Sequence, residues 1–318
     1  MEIFTLFSDR GALWLLFGFL ILALFIADLG ISRKTHDISF REALFWSVAW
    51  ISLALLFNAG LFFSMGKTGA LEFFTAYIIE KSLSVDNLFV FIMIFSYFQI
   101  PGLYQPKILK WGIIGAILMR AVFIFIGIGL LERFHWMIYL FGAVLIVTGI
   151  KMAFGKDEAP DPEKNIILRL VRKIMPVTKR RYRDAFFIRR KGVAAATPLF
   201  LALVMIETSD IVFAIDSIPA VLAVSRDPLI VYTSNIFAIM GLRALYFLLS
   251  SVMGMFTYLK QGISVVLAFV GIKMLLSGTG YEIPVQFSLG VIFGLLALSI
   301  IISVTVSRHD AGRRDKIS

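Results

Sequence analysis

The sequence predicts an all-α polytopic membrane protein with about nine transmembrane helices, in which spans 3-5 and 6-8 form an inverted 3+3 helix repeat. Three observations predict this class. Hydrophobic residues make up 59% of the 318 residues and charged residues only 16%, and the mean hydropathy is +0.89. The apolar residues fall into separate runs of about 20, the length that crosses a bilayer. Three short motifs also recur, in the same order, in the two halves of the chain.

The apolar runs define the elements. The first run is expected to be a span and not a cleaved signal peptide, because Glu2 and Asp9 precede it where a signal peptide would be basic. The predicted spans are residues 11–31, 43–65, 73–98, 109–131, 136–155, 198–222, 229–253, 258–277 and 284–306. They divide the chain into two N-terminal helices (1–70), a first three-helix repeat (71–155), a basic connection (156–197), a second repeat (198–278), and a last helix with a basic tail (279–318).

The positions of Lys and Arg predict the orientation. If the N-terminus lies outside, the cytoplasmic connections and the tail hold 21 of these residues and the opposite side holds 4. Because basic residues accumulate on the cytoplasmic side, the N-terminus is predicted outside and the C-terminus inside. The same rule accounts for the net charge of +10, so nucleic acid is not an expected partner.

The connection 156–197 carries 12 Lys and Arg residues and leaves two interpretations open. Its segment IILRLVRKIM (166–175) has apolar and basic residues at helical spacing. It is either an amphipathic helix that binds lipid or a partner, or a solvated basic linker that follows the positive-inside rule.

An internal repeat is predicted from three matches. The acidic segment EKSLSVDN (80–87) aligns with DIVFAIDS (210–217), Arg120 in MRAVF aligns with Arg243 in LRALY, and GIKM occurs at 149–152 and again at 271–274. Because three spans separate each match, the second copy enters the membrane from the opposite side. The repeats are therefore predicted to be related by a pseudo-two-fold axis in the membrane plane, with an ion site where they meet.

Acidic side chains inside these spans predict a metal site, because ionisable residues at bilayer depth are costly and usually functional. Carboxylate and amide oxygens suit Mn²⁺, Mg²⁺ or Ca²⁺. The chain has no cysteine, and its three histidines lie outside the spans, so the usual zinc and copper ligands are missing. The predicted metal ligands are Glu80, Asp86, Asn87, Glu207, Asp210 and Asp216.

Arg120 and Arg243 are predicted to be counter-charges that keep nearby carboxylates ionised without touching the metal ion. The alternative is that these ion pairs only hold the bundle together. Residues six apart lie about 120° apart around a straight helix. Either each acidic helix is therefore locally unwound, near Asp86 and near Asp216 to Pro219, or it uses two faces.

The segments EKSLSVDN, 196–224 and 227–247 are similar to the TerC family of integral membrane proteins, and two extra spans before Glu80 make the chain resemble its Alx-like branch. The resemblance covers residues 25 to 305 and implies a bacterial inner-membrane protein. It also implies links to tellurium resistance, manganese export and alkaline pH. The acidic residues of the family carry over onto Glu80, Asp86, Asp210 and Asp216, with Glu207 beside them.

Two functions are consistent with these features. The first is a proton-coupled Mn²⁺ exporter with Mn²⁺ as its substrate ion, no organic cofactor and no enzymatic activity. The second is a membrane scaffold, assembly factor or redox modulator of the tellurium-resistance type that transports nothing. Membrane lipid and a divalent metal ion are the expected partners, and a homo-oligomer stays open.

Overall fold

The computed structural model describes residues 11–31, 39–154, 165–178, 184–190, 193–252, 258–281 and 283–314. The first half contains four helices: α1 (Gly11–Ile31), α2 (Phe40–Tyr97), α3 (Gln105–Arg133) and α4 (Met137–Phe154). A short 3-10 turn, Gly102–Tyr104, precedes α3. The Ser39 side chain caps α2 by accepting a hydrogen bond from the backbone N–H of Glu42.

The connection between the halves holds the short helix α5 (Ile166–Ile174) and an antiparallel hairpin of β1 (Phe187–Arg190) and β2 (Val193–Ala196). The second half contains α6 (Pro198–Leu222), α7 (Pro228–Met240), α8 (Leu242–Val252), α9 (Leu259–Gly278) and α10 (Val285–Arg314). Proline opens both α6 and α7, where its missing N–H would have no helical partner in any case.

The helix α2 is 58 residues long, nearly three times what one crossing needs. Its one residue with non-helical backbone angles is Gly66, at φ 74° and ψ −173°. That residue divides α2 into an N-terminal leg, 40–65, and a C-terminal leg, 67–97. Each leg is long enough for one of the two spans predicted there.

Six described helices are long and apolar enough to cross a membrane, and the bent pair α7 and α8, with an angle of 42° between its halves, makes seven. The all-α membrane class is thus confirmed, whereas nine spans stay a prediction. The difference between seven and nine spans arises at two helices, α1 and α2. This count takes α2 as one span, and in α1 only Leu13–Leu22 qualifies, as a shorter apolar helix.

The bundle is apolar outside and polar at its centre. Large apolar side chains such as Phe63, which is 87% exposed, cover the outer faces of the helices, whereas Glu80, Arg120, Asp210 and Asn235 are buried. A soluble protein has the opposite distribution, but here lipid covers the outer faces.

Packing brings the two halves together throughout. The helix α2 packs against α6, α7 and α8, α3 packs against α6 and α7, and α4 lies along α9. The N-terminal helices join this body through aromatic rings. Phe17 of α1 and Phe57 of α2 both contact Phe237 of α7, with ring centroids 5.9 and 5.0 Å away.

Glycine residues at the interface determine how closely the backbones of α4 and α9 approach each other. A Cβ atom added to Gly149 would lie 2.7 Å from the carbonyl oxygen of Ser264, and one added to Gly271 would lie 2.7 Å from the carbonyl oxygen of Gly142. Both distances are too short for a side chain. The backbones of α4 and α9 therefore touch at two places, as is common between small residues in membranes.

We predict that Gly66→Ala lowers the thermal midpoint of the detergent-solubilised protein, measured by fluorescence-detected size exclusion. The angles of Gly66 fall in a region open essentially to glycine alone, so a side chain there costs about 1–3 kcal/mol. Gly60→Ala is the control, because Gly60 lies in the same helix and an added Cβ meets nothing within 4 Å. Equal midpoints for the two variants would contradict a fixed bend at Gly66.

Candidate functional site

Two predicted acidic residues meet at one arginine in the centre of the bundle. The guanidinium of Arg120 forms an ion pair with the carboxylate of Glu80 on α2. It also reaches Asp210 on α6 through two nitrogens, with Nη2 3.1 Å from Oδ1 and Nε 3.4 Å from Oδ2. A two-pronged contact of this kind fixes the carboxylate in orientation as well as position.

Two neutral groups complete the surroundings of Arg120. Its Nη1 donates to the hydroxyl of Ser217 and to the amide oxygen of Asn235, both at 3.4 Å. Ser217 lies two turns after Asp210 on the same face of α6, and Asn235 comes from α7. One side chain of α3 therefore connects three other helices.

Burial makes these contacts energetically important. Arg120 and Glu80 are fully buried, and Asp210 is nearly so. No hydrogen bond to either carboxylate oxygen of Glu80 is present in the part of the chain that the structure describes, so Arg120 is its described charge partner. Removing one member of such a buried pair typically costs 3–5 kcal/mol, because the charge left behind stays out of water.

Asp216 and Glu207 lie on α6 but not at Arg120. Asp216 is half-buried and accepts a hydrogen bond from the hydroxyl of Thr148 on α4 at 2.7 Å. The carboxylate of Glu207 lies against the backbone of α3 at Gly115, in space that a Cβ at that residue would occupy. Asp210 and Glu207 thus contact α3 at different residues, and Asp216 contacts α4.

The structure describes the side chains of only some of the remaining predicted residues. Asn87 is buried, and the side chain of Asp86 lies outside what the structure describes. Arg243 is buried and lines a narrow cavity together with Asp210. Within the described residues, no group of three or more Asp, Glu or His side chains is arranged to hold a metal ion. The metal ligands and the counter-charge role of the two arginines remain predictions.

Of the two arrangements that the spacing allowed, local unwinding near Asp216 is not the one present, because α6 is helical from Pro198 to Leu222. Pro219 lies inside α6, in its last turn, where it removes one helical hydrogen bond without ending the helix. The segment around Asp86 is helical as well. The acidic residues therefore use two faces of continuous helices, which is the other arrangement that their spacing allowed.

The break in this region lies between α7 and α8, at Gly241. The ammonium of Lys81 donates a hydrogen bond of 3.2 Å to the carbonyl oxygen of Ala238, in the last turn before the break. A Cβ at Gly241 would lie 2.7 Å from the same ammonium. A broken helix frees backbone carbonyls, and in a membrane another group must satisfy them.

Sequence reasoning missed Asn235, Thr148 and the place of Lys81. A signal existed for Asn235, since an amide in the middle of an apolar span is costly unless it has a partner. The sequence contained no such signal for Thr148, because threonine is common in membrane helices and its hydroxyl often bonds only the backbone of its own helix.

A second polar feature lies at one end of the bundle. A cavity of about 450 Å³ is lined by residues from α2, α4, α6, α9 and the connections that join α6 to α7 and α9 to α10. Its polar side chains include Glu72, Ser225, Asp227 and Lys273, and the hydroxyl of Ser225 donates to Glu72 at 2.6 Å.

Replacing Arg120 by methionine should reduce the yield of monodisperse protein sharply, because Glu80 and Asp210 would remain buried without their cation. The triple variant Arg120→Met, Glu80→Gln, Asp210→Asn should recover much of this loss, since it leaves no uncompensated charge. Lys107→Met is the control. It breaks an exposed pair with Asp184, worth less than about 1 kcal/mol. A triple variant no better than Arg120→Met would contradict the pairing.

Comparisons with known proteins agree with these features. The family described as "Integral membrane protein TerC family" matches residues 65–311. "Uncharacterized membrane protein STKORF319" of Myxococcus xanthus is 48% identical over 97% of both chains. Proteins named "Putative membrane-bound redox modulator Alx" are similar too. The one from Photorhabdus laumondii is 46% identical over 94% of this chain and 96% of its own. The one from Escherichia coli K12 is 45% identical over 88% of this chain and 90% of its own.

No solved structure matches the chain significantly. The family match covers well over half of the sequence, and the relatives align with it over nearly their whole length. The protein therefore belongs to the TerC family of integral membrane proteins.

Proposed function

We propose that this protein exports divalent metal ions, with Mn²⁺ as the substrate, through carboxylates at the centre of the bundle and in exchange for protons. One observation carries the proposal. Glu80 and Asp210, from different helices, converge on a single guanidinium near the middle of the membrane helices. Two carboxylates that can hold one cation together are the minimum that a divalent ion requires at this depth.

The inventory of charges favours a cation. The described side chains of the two acidic segments and their neighbours include four acids, Glu80, Glu207, Asp210 and Asp216, and four bases, Lys81, Arg120, Arg243 and, near Asp216, Lys151. Asp86 adds a fifth acid to the same sequence. Hard oxygen donors in excess of cations suit Mn²⁺, Mg²⁺ or Ca²⁺ better than softer metals.

Arg120 then takes a specific part in the cycle. In the state described here it occupies the two carboxylates, as a tethered cation. An incoming metal ion would replace the guanidinium on Glu80 and Asp210, and protons would compete for the same oxygens. Each exchange keeps Glu80 and Asp210 neutralised, and the displaced guanidinium would have to pair with another acid of these segments, because an unpaired buried charge is costly.

The contacts between α4 and α9 support the inverted repeat on which transport would depend. When the two GIKM motifs are aligned, Gly149 matches Gly271 and Gly142 matches Ser264. The close approach of Gly149 to Ser264 is then the counterpart of the approach of Gly271 to Gly142. Such reciprocal contacts are expected across a two-fold axis. Transporters with inverted repeats expose a central site to each side in turn by moving one repeat against the other.

A structural role is the second candidate, and one observation favours it. Arg120 already forms ion pairs with both Glu80 and Asp210, and no larger acidic group is assembled among the described residues. The protein would then be a scaffold or assembly factor. For the redox role in the name of the Alx relatives, a partner would have to supply the electron carrier, since the chain has no cysteine.

Flux measurements separate the two candidates. In proteoliposomes that contain a Mn²⁺-sensitive dye, Glu80→Gln and Asp210→Asn should each lower Mn²⁺ flux by at least about tenfold, which corresponds to about 1.4 kcal/mol in ion affinity or barrier. Glu132→Gln, an exposed carboxyl at the end of α3, should leave flux unchanged. Wild-type flux in both site variants, with normal size-exclusion profiles, would favour the structural role.

The proposal also requires the predicted orientation, with the N-terminus outside. Since the wild-type chain has no cysteine, single cysteines at Thr68, Asp161 and Thr279 report their side of the membrane directly. A membrane-impermeant maleimide should label Thr68→Cys and Thr279→Cys on intact cells, and Asp161→Cys only after permeabilisation. External labelling of Asp161→Cys would contradict the predicted orientation.

A further inference from the structure

The short helix α5 has three distinct faces. Leu168 is fully buried, and Val171 packs beside it against the bundle, so these residues form the inner face. The second face is apolar but exposed, and we call it the apolar stripe: Ile166, Ile167, Leu170 and Ile174, with exposures of 78%, 41%, 53% and 73%. The third face is basic and exposed, and consists of Arg169, Arg172 and Lys173.

Helical spacing makes the apolar stripe continuous. At about 100° per residue, its four residues fall within one sector of about 100°, the basic residues border it on one side, and Val171 and Leu168 border it on the other. The stripe is not a side effect of a helix that crosses the membrane, because α5 has nine residues and lies between two spans. Four large apolar side chains on one exposed face of a short helix indicate a contact surface.

The contacts of the connection hold the end of α5 close to the start of α6. Residues 176–178, just after α5, pair with Ala196 through two backbone hydrogen bonds of 2.9 Å. Ala196 precedes by two residues Pro198, the first residue of the membrane helix α6. Lys107 at the start of α3 is paired with Asp184 at 2.9 Å. The end of α5 is therefore fixed a few residues from the point where α6 enters the bilayer.

We infer that α5 lies in the plane of the adjoining membrane leaflet, with its apolar stripe among the acyl chains and its basic face against anionic phospholipid headgroups. The positive charge of the basic face favours anionic phospholipid as the partner. Apolar and basic sectors side by side match the boundary between hydrocarbon and anionic headgroups, where amphipathic helices insert by about 5–10 Å. The segment 156–197 carries 12 basic residues, and each one near an anionic surface adds about 1 kcal/mol of attraction.

Spin labels can measure the depth of α5, again because the wild-type chain has no cysteine. We would place single labels at Leu170→Cys and Ile174→Cys in the stripe, and at Lys173→Cys in the basic face as the matched control. The full-length protein is reconstituted in nanodiscs of phosphatidylcholine alone or with 30% phosphatidylglycerol. Power saturation with oxygen, and with a water-soluble nickel chelate, gives the depth of each label.

Labels in the stripe should be reached by oxygen and not by nickel, and the label at Lys173 should be reached by nickel. Phosphatidylglycerol should move the stripe labels deeper. Stripe labels open to nickel in both membranes would overturn membrane contact. Stripe labels closed to both reagents would mean that a second copy or another protein covers the face. Equal depths in the two membranes would overturn the role of anionic headgroups.

Charge reversal tests the basic face without changing the stripe. The triple variant Arg169→Glu, Arg172→Glu, Lys173→Glu should lower the number of phosphatidylglycerol molecules retained on the purified protein in native mass spectrometry by at least half. The control variant Ile166→Leu keeps both the charge and the apolar character. Unchanged lipid retention in the triple variant would contradict headgroup binding, whether or not the protein transports metal ions.

Discussion

The buried arginine of α3 is the interaction on which the arrangement of this protein depends. Arg120 is the charge partner of Glu80 within the described residues, and it contacts Asp210 through two nitrogens. All three side chains are buried away from water. Because each of these charges would be costly alone, α2, α3 and α6 must reach the membrane centre in one relative register. Apolar packing against lipid could not impose such a register, since lipid chains are as apolar as leucine side chains.

This central network explains why part of the site could be predicted from the sequence. Ionisable residues are rare in membrane helices, so Glu80, Arg120 and Asp210 were conspicuous, and partners of opposite charge were the expected outcome. Neutral partners are harder to predict. Thr148 differs little in hydropathy from hydroxyl residues that bond only within their own helix. The amide of Asn235 stands out in an apolar span, but its partner depends on which helices become neighbours.

The backbone was predicted less well than the charges. Proline and serine beside Asp216 suggested an unwound segment, but one proline in a last turn is compatible with a helix. The actual break, at Gly241, lies in a stretch where glycine is the only local signal, and its position depends on the contact with Lys81. Gly66 differs from this case, because it lies in the short connection predicted between spans 43–65 and 73–98, whereas Gly60 lies within a predicted span and is helical.

Glu80 and Lys81 are adjacent along α2 but engage different neighbours. The carboxylate of Glu80 contacts α3 through Arg120, and the ammonium of Lys81 reaches the last turn of α7 at Ala238. Rotation of the C-terminal leg of α2 about its own axis would therefore change the charge network and the support of the bent helix pair at once. Two consecutive residues thus place one leg of α2 in contact with both the central charge network and the joint between α7 and α8.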